Sequence, residues 1–187
     1  MAVTPSNMMP LGTTAPDFKL PDTISGKELS LQELKSNKAT VIMFICNHCP
    51  FVKHVRTGLV QLAKDYIPKG ISFIAISSND VEGYPEDSPA EMKKVAERFG
   101  YPFPYLYDES QEVARAYMAA CTPDFYVFDN DLKLVYRGQM DDSRPSNNIP
   151  VTGRDLRMAL DAILAGKPVP NDQKPSIGCN IKWKSRR

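Results

Sequence analysis

Apolar positions along the 187-residue chain fall into two rhythms. ATVIMFIC (39–46) is apolar almost without interruption and rich in β-branched residues, which predicts a central strand covered on both faces. ISFIAISS (71–78) reads the same way. Between them Val52, Val55, Leu59, Val60, Leu62 and Ala63 recur at helical spacing from Pro50 onward, until Pro68 and Gly70 stop the element. SPAEMKKVAERFG (88–100) predicts a second helix, with Ser88 as N-cap, Pro89 at the first position and Gly100 at the end. FPYLYD suggests a third strand, and SQEVARAYMAA (110–120) a further helix. DFYVFDNDLKLVYRG (124–138) predicts an antiparallel hairpin turning at Asn130 and Asp131, and TGRDLRMALDAILAG (152–166) a closing amphipathic helix.

Near the start, DFKLPDTISGKELSL predicts a short hairpin around Gly26, and SLQELKS one helical turn capped by Ser30 and Glu33. Residues 1–16 read as an irregular arm, and the basic, proline-bearing tail 167–187 has no clear periodicity. The first two core strands are joined by a helical crossover and are therefore expected to run parallel, which places the chain in the α/β class. The length suits one domain with a sizeable core, and no composition break argues for two. Chemistry on such sheets gathers at the carboxyl ends of the strands, where Cys46 lies.

Charge narrows the field. Lys and Arg number 23 against 22 Asp and Glu, for a net charge of +1, so nothing electrostatic favours nucleic acid or an anionic membrane as partner. No stretch approaches the ~20 apolar residues that span a bilayer, and the first residues lack the form of a signal peptide. The expected location is the cytoplasm. In that reducing setting a close cysteine pair points to catalysis or metal binding rather than to a permanent cross-link.

Of four cysteines, only Cys46 and Cys49 form a short motif, Cys-Asn-His-Cys, at a predicted strand-to-helix junction. The unpaired N–H groups and dipole of a helix start favour negative charge there. On this reading Cys46, nearer solvent, has the lowered pKa and attacks, while Cys49, one turn inward, resolves the mixed disulfide. His48 lies between the thiols and is expected to tune them. Cys121 reads as a small buried hydrophobe more than as a third thiol. Cys179 divides evenly between a structural residue and a resolving thiol that folds back from the tail. No metal site is expected: a structural zinc ion needs four ligands and no second Cys-x-x-Cys exists, so a metal or thiol-binding module is the minor reading. His54, five residues past Cys49, is expected to face solvent. Asp141, Asp142 and Arg144 sit in a long polar loop (138–153), either as partner-selecting residues or as a solvated turn.

CNHC after an apolar strand, with CTPDFYVF some seventy residues later, resembles the thioredoxin-like superfamily. The opening LGTTAPDFKLPDTISGKELSLQELK is similar to its AhpC/TSA, peroxiredoxin-like branch. The resemblance covers about residues 10–166. It implies a thioredoxin-like fold, a central mixed sheet flanked by helices with an N-terminal hairpin and an extra strand–helix insertion supplied by FPYLYDESQEVARAY. It also implies that Pro123 is cis and that the backbone of Thr122 receives a substrate strand. The implied activity is thiol–disulfide exchange with protein disulfides, fed by a thiol electron donor and needing no cofactor. The chain departs from the pattern in two places. Ile45 and Thr40 stand where thioredoxin has tryptophan and a buried aspartate, and Ile42 and Cys46 occupy the proline and threonine positions of the peroxidatic motif. The second of these argues against an efficient peroxidase of the usual design but not against slow turnover, and thiol peroxidase activity is the second expectation.

Overall fold

The computed structural model describes residues 3–185. In chain order its elements are β1 (Val3–Pro5), β2 (Lys19–Pro21), β3 (Glu28–Ser30), α1 (Leu31–Leu34), β4 (Ala39–Phe44), α2 (Pro50–Tyr66), β5 (Ile71–Ser77), α3 (Pro89–Phe99), β6 (Tyr105–Tyr107), α4 (Glu112–Ala116), β7 (Cys121–Thr122), β8 (Asp124–Asp129), β9 (Leu134–Gly138), α5 (Arg154–Leu164) and β10 (Ile177–Asn180). Five strands form the central sheet in the order β6-β5-β4-β8-β9. β4 runs parallel to β5, and β5 to β6, while β8 and β9 join antiparallel, so the sheet is mixed.

Every residue of β4 is buried, as its continuous apolar run predicts. Its side chains divide strictly by parity. Val41 and Met43 face a cluster with Val52, Leu59, Leu62, Met92 and Leu156 from α2, α3 and α5. Ile42 and Phe44 face a second cluster with Phe18, Leu31, Ala114 and Tyr117 from the front segment and α4. Helix α2 thus lies along one face of the sheet, its N-terminus at the carboxyl end of β4. Fully buried Leu62 anchors it there, and truncation to alanine at such a site costs about 2–5 kcal/mol.

Most predicted elements are present, including the β2–β3 hairpin and the capping box of Ser30 and Glu33. Three differ. The helix expected over 110–120 is only Glu112–Ala116. The buried Asp108 carboxylate accepts from the Val113 and Ala114 N–H groups, and Met118, next after the C-cap Tyr117, turns at φ 54°. The arm is not wholly irregular, since β1 pairs antiparallel with β10 (its first two residues lie outside the described ones). The aperiodic tail also forms a strand. β10 joins β1 on one side and β7 on the other in a second sheet. Its four residues show no alternation because the middle two, Gly178 and Cys179, are both buried.

Candidate functional site

Pro50 decides where helix α2 begins. Lacking an N–H, it fits the first helical position, which makes Cys49 the N-cap. The next two N–H groups, of Phe51 and Val52, are free for partners outside the helix, and each meets a sulfur. The Val52 N–H favours charge on Cys49 and the Phe51 N–H on Cys179, although neither closes a cap on the Cys49 side chain. Thr122 joins the thiols from the other side: Cys46 Sγ lies 3.5 Å from its hydroxyl, and Cys49 Sγ 3.3 Å from its carbonyl oxygen. The bond from Thr122 to Pro123 is cis, as the resemblance implies. The two sequence-predicted halves of the site therefore do come together.

The acidity of the pair is the reverse of the expected one. Cys49 is lowered to about 5, first by the hydrogen bond it receives from Cys46, then by Cys179, the Val52 N–H and Thr122, against the opposing effect of burial. Cys46 is raised, because it keeps the proton it shares with Cys49, because it is buried and because the Asp87 charge is near. The Thr122 carbonyl opposes a Cys49 thiolate, but the donors facing that sulfur outnumber it. Cys46 is also not nearer solvent: neither thiol has exposed surface.

His48 is committed elsewhere. Its Nδ1 meets Asp87 Oδ2 at 2.5 Å, its ring stacks on Tyr84 at 5.1 Å, and the Asp87 hydrogen bond raises its pKa above the usual value. Asp87 organises the whole turn. Fully buried, it accepts from the Asn47 N–H at 2.7 Å, the His48 N–H at 3.2 Å and Asn79 Nδ2 at 2.9 Å. Burial works against its charge, yet the hydrogen bonds from His48 and Asn79 hold its carboxyl below the ordinary range. Asn47 is pinned as well, donating to the Glu86 carbonyl and accepting from Tyr105, while Arg56 binds its carbonyl. Both spacer residues of Cys-Asn-His-Cys thus serve to fix the loop. In EDSPAE the sequence offered only an ordinary helix start, so Asp87 carried no signal.

Cys46, His48 and Asp87 place one donor atom each within 4.8 Å of one another, the start of a metal set that lacks a fourth ligand among the described residues. Cys121 is buried and raised by burial and by Asp124, against a smaller effect of Ser6, and its thiol lies 3.8 Å from the Pro123 carbonyl. That is the setting of a packing residue. His54 corrects its expectation: it is half-buried, with Nε2 2.7 Å from the Ser143 hydroxyl. Asp141 is neither a partner contact nor solvated. It is buried and accepts from the Ser143, Thr152 and Gly153 N–H groups, closing its loop onto α5. The Thr122 edge, expected to receive a substrate strand, is occupied by the chain's own β10, with Cys179 opposite Thr122.

A mixed sheet with paired thiols at the end of its central strand, beside a cis-proline, defines a thioredoxin-like thiol protein. The chain belongs to the AhpC/TSA family, which it matches over residues 11–137. It is 28% identical over 155 residues to the thiol-disulfide oxidoreductase ResA of Geobacillus thermodenitrificans (strain NG80-2), covering 82% of this chain and 78% of that protein. The crystal structure of an uncharacterized conserved protein from Geobacillus kaustophilus superposes with a TM-score of 0.99 at 68% identity, covering 100% of this chain and 99% of that one. A putative thioredoxin from Neisseria meningitidis shares the fold with a TM-score of 0.62 at 22% identity, over 81% and 89% of the two chains. No described helix is long and apolar enough to cross a membrane.

Proposed function

We propose that this chain is a thiol–disulfide oxidoreductase in which Cys46 and Cys49 exchange a disulfide with protein partners, an external thiol donor restoring the reduced pair. The observation that carries this reading is the meeting of both sulfurs at Thr122, beside a helix N-terminus that favours a thiolate. Cys49 attacks one sulfur of the partner's disulfide, and the other leaves as a thiolate. With Cys49 bound in the mixed disulfide, the anion that held the proton on Cys46 is gone. Cys46 then ionises and attacks Cys49, freeing the second partner sulfur and leaving a Cys46–Cys49 disulfide. A partner strand that uses the Thr122 edge takes the place of β10. His48 and Asp87 act as positioning residues, holding the turn that carries the thiols.

Substituting Cys46 by Ser is expected to abolish dithiol-coupled insulin reduction and to leave partners trapped on Cys49. Full activity in that variant contradicts the reading. The burial of an acidic sulfur supports a second one, because a peroxide is small enough to arrive where a protein must first displace β10. There the Cys49 thiolate breaks the O–O bond and becomes sulfenic acid, and Cys46 condenses with it, releasing water. Fast, saturating loss of one thiol in stopped flow with hydrogen peroxide would favour this second chemistry.

A further inference from the structure

β10 does more than cover the site. Gly178 packs so closely on β7 that a Cβ there would stand 1.9 Å from the Thr122 carbonyl oxygen, so only glycine lets the strand lie this near. That approach sets Cys179 opposite Thr122, the residue both other thiols touch. The Cys179 thiol donates to Cys49 Sγ, and the Phe51 N–H is directed at Cys179. Three sulfurs therefore share one helix mouth, whose N–H groups favour negative charge on Cys49 and Cys179. Cys179 is 2% exposed, as secluded as the pair itself.

From this geometry we infer that Cys179 is a third exchanging thiol, which attacks the Cys49 sulfur of the Cys46–Cys49 disulfide and so binds the covering strand β10 covalently to helix α2. The inference rests on the exchange reading given above. The Cys49–Cys179 bond forms as the Cys46–Cys49 bond breaks. Cys46 leaves as a thiolate and takes up the proton that Cys179 gave up, so the protein's oxidation state is unchanged and no further oxidant is needed. Oxidation itself prepares the step. In the reduced protein Cys179 is pushed up to about 12, by burial and then by its hydrogen bond to Cys49 and by that sulfur's charge. Once Cys49 is in a disulfide its charge is gone, while Lys182 and the Phe51 N–H still favour a thiolate at Cys179. Oxidation thus removes the part of the barrier that Cys49 imposes on this thiol, while that of burial stays.

Disulfide mapping of the full chain tests this. Trypsin leaves Cys46 and Cys49 together in 39–53 and Cys179 in 158–182, because Lys167 and Lys174 precede proline. Reduced protein is treated with diamide, quenched in acid, alkylated under denaturing conditions and digested. The inference predicts two disulfide isomers in the wild type, one within 39–53 and one joining it to 158–182. In Cys46→Ser the joined form is expected to become the sole disulfide. If the wild type yields only the bond within 39–53 and Cys46→Ser yields no joined peptide, Cys179 does not exchange, while the Cys46–Cys49 reading stands. If neither bond forms in the wild type, that reading fails as well.

Discussion

The mouth of α2 buries three thiols beside one carboxyl, and the Cys121–Asp124 corner of the β7–β8 segment one of each, with opposite results. At the helix Cys49 is lowered to about 5 and Asp87 is held ionised. At the corner Cys121 is raised and Asp124 is pushed up to about 7. Burial opposes charge in all four, so burial does not distinguish them. The donors do. Asp87 accepts two backbone N–H groups, an amide and an imidazole, whereas Asp124 meets two hydroxyls, of Ser6 at 2.8 Å and Tyr126 at 3.2 Å, and one backbone N–H, of Phe125. Cys49 faces two thiols and Thr122 at a helix N-terminus, whereas Cys121 faces a carbonyl and a carboxyl with only Ser6 to lower it. One region is built to hold negative charge and the other to hold protons.

Removing Asp87 should break the contrast most severely. Asp87→Ala leaves the Asn47 and His48 N–H groups and the Asn79 amide facing a cavity, and losses of this kind cost about 3–5 kcal/mol. For a chain of this size that corresponds to a fall in melting temperature of roughly 10 °C, measurable by calorimetry. An unchanged melting temperature would mean that the turn does not depend on Asp87.

The opposite substitution at the corner should stabilise. Folding lifts Asp124 from 3.8 to about 7, so the folded chain binds a proton that the unfolded chain releases. The contribution of Asp124 to stability is therefore greatest below pH 3.8, declines as pH rises toward 7 and is level above it. Asp124→Asn keeps an acceptor for Ser6 and removes the ionisation. Denaturant unfolding at alkaline pH should show a gain on the order of 2–4 kcal/mol, vanishing in acid. A gain equal at both ends of the range would refute the protonation account.

A smaller effect sharpens the role of His48. Its pKa is raised by Asp87, so the pair's contribution is complete below 6.5 and is lost as pH climbs through the higher, folded value. An NMR titration should place the His48 midpoint above 6.5 in the wild type and nearer to it in Asp87→Asn. Coincident midpoints would show that the two side chains do not interact in solution. Smallest of all, Cys121→Ala removes only a buried sulfur. It should cost about 1 kcal/mol and leave insulin reduction intact, and lost turnover would place Cys121 in the chemistry.

The sequence exposed the sheet, the crossover helix and the Cys46–Cys49 motif because each rests on a local pattern. An unbroken run such as 39–46 carries its own meaning, and Thr122-Pro123 could be located through the resemblance. What stayed hidden depends on distant partners. β10 is four residues long without alternation, and its strand character comes from β1 and β7. Asp87 is drawn into the site by a loop forty residues earlier. The reversed acidity had the same origin. Pro50 reads as an early helical residue, but its consequence, a helix capped by Cys49 beside a loop whose N–H groups bind Asp87, appears only once the chain is folded.

The most direct test follows thiolate absorbance in the ultraviolet as reduced protein is titrated, because it needs no reagent to reach a buried sulfur. One thiolate should appear with a midpoint of about 5 in the wild type and be absent from Cys49→Ser. A first midpoint near the ordinary 9, or an acidic midpoint that survives Cys49→Ser and disappears in Cys46→Ser, would contradict the assignment of the charge to Cys49.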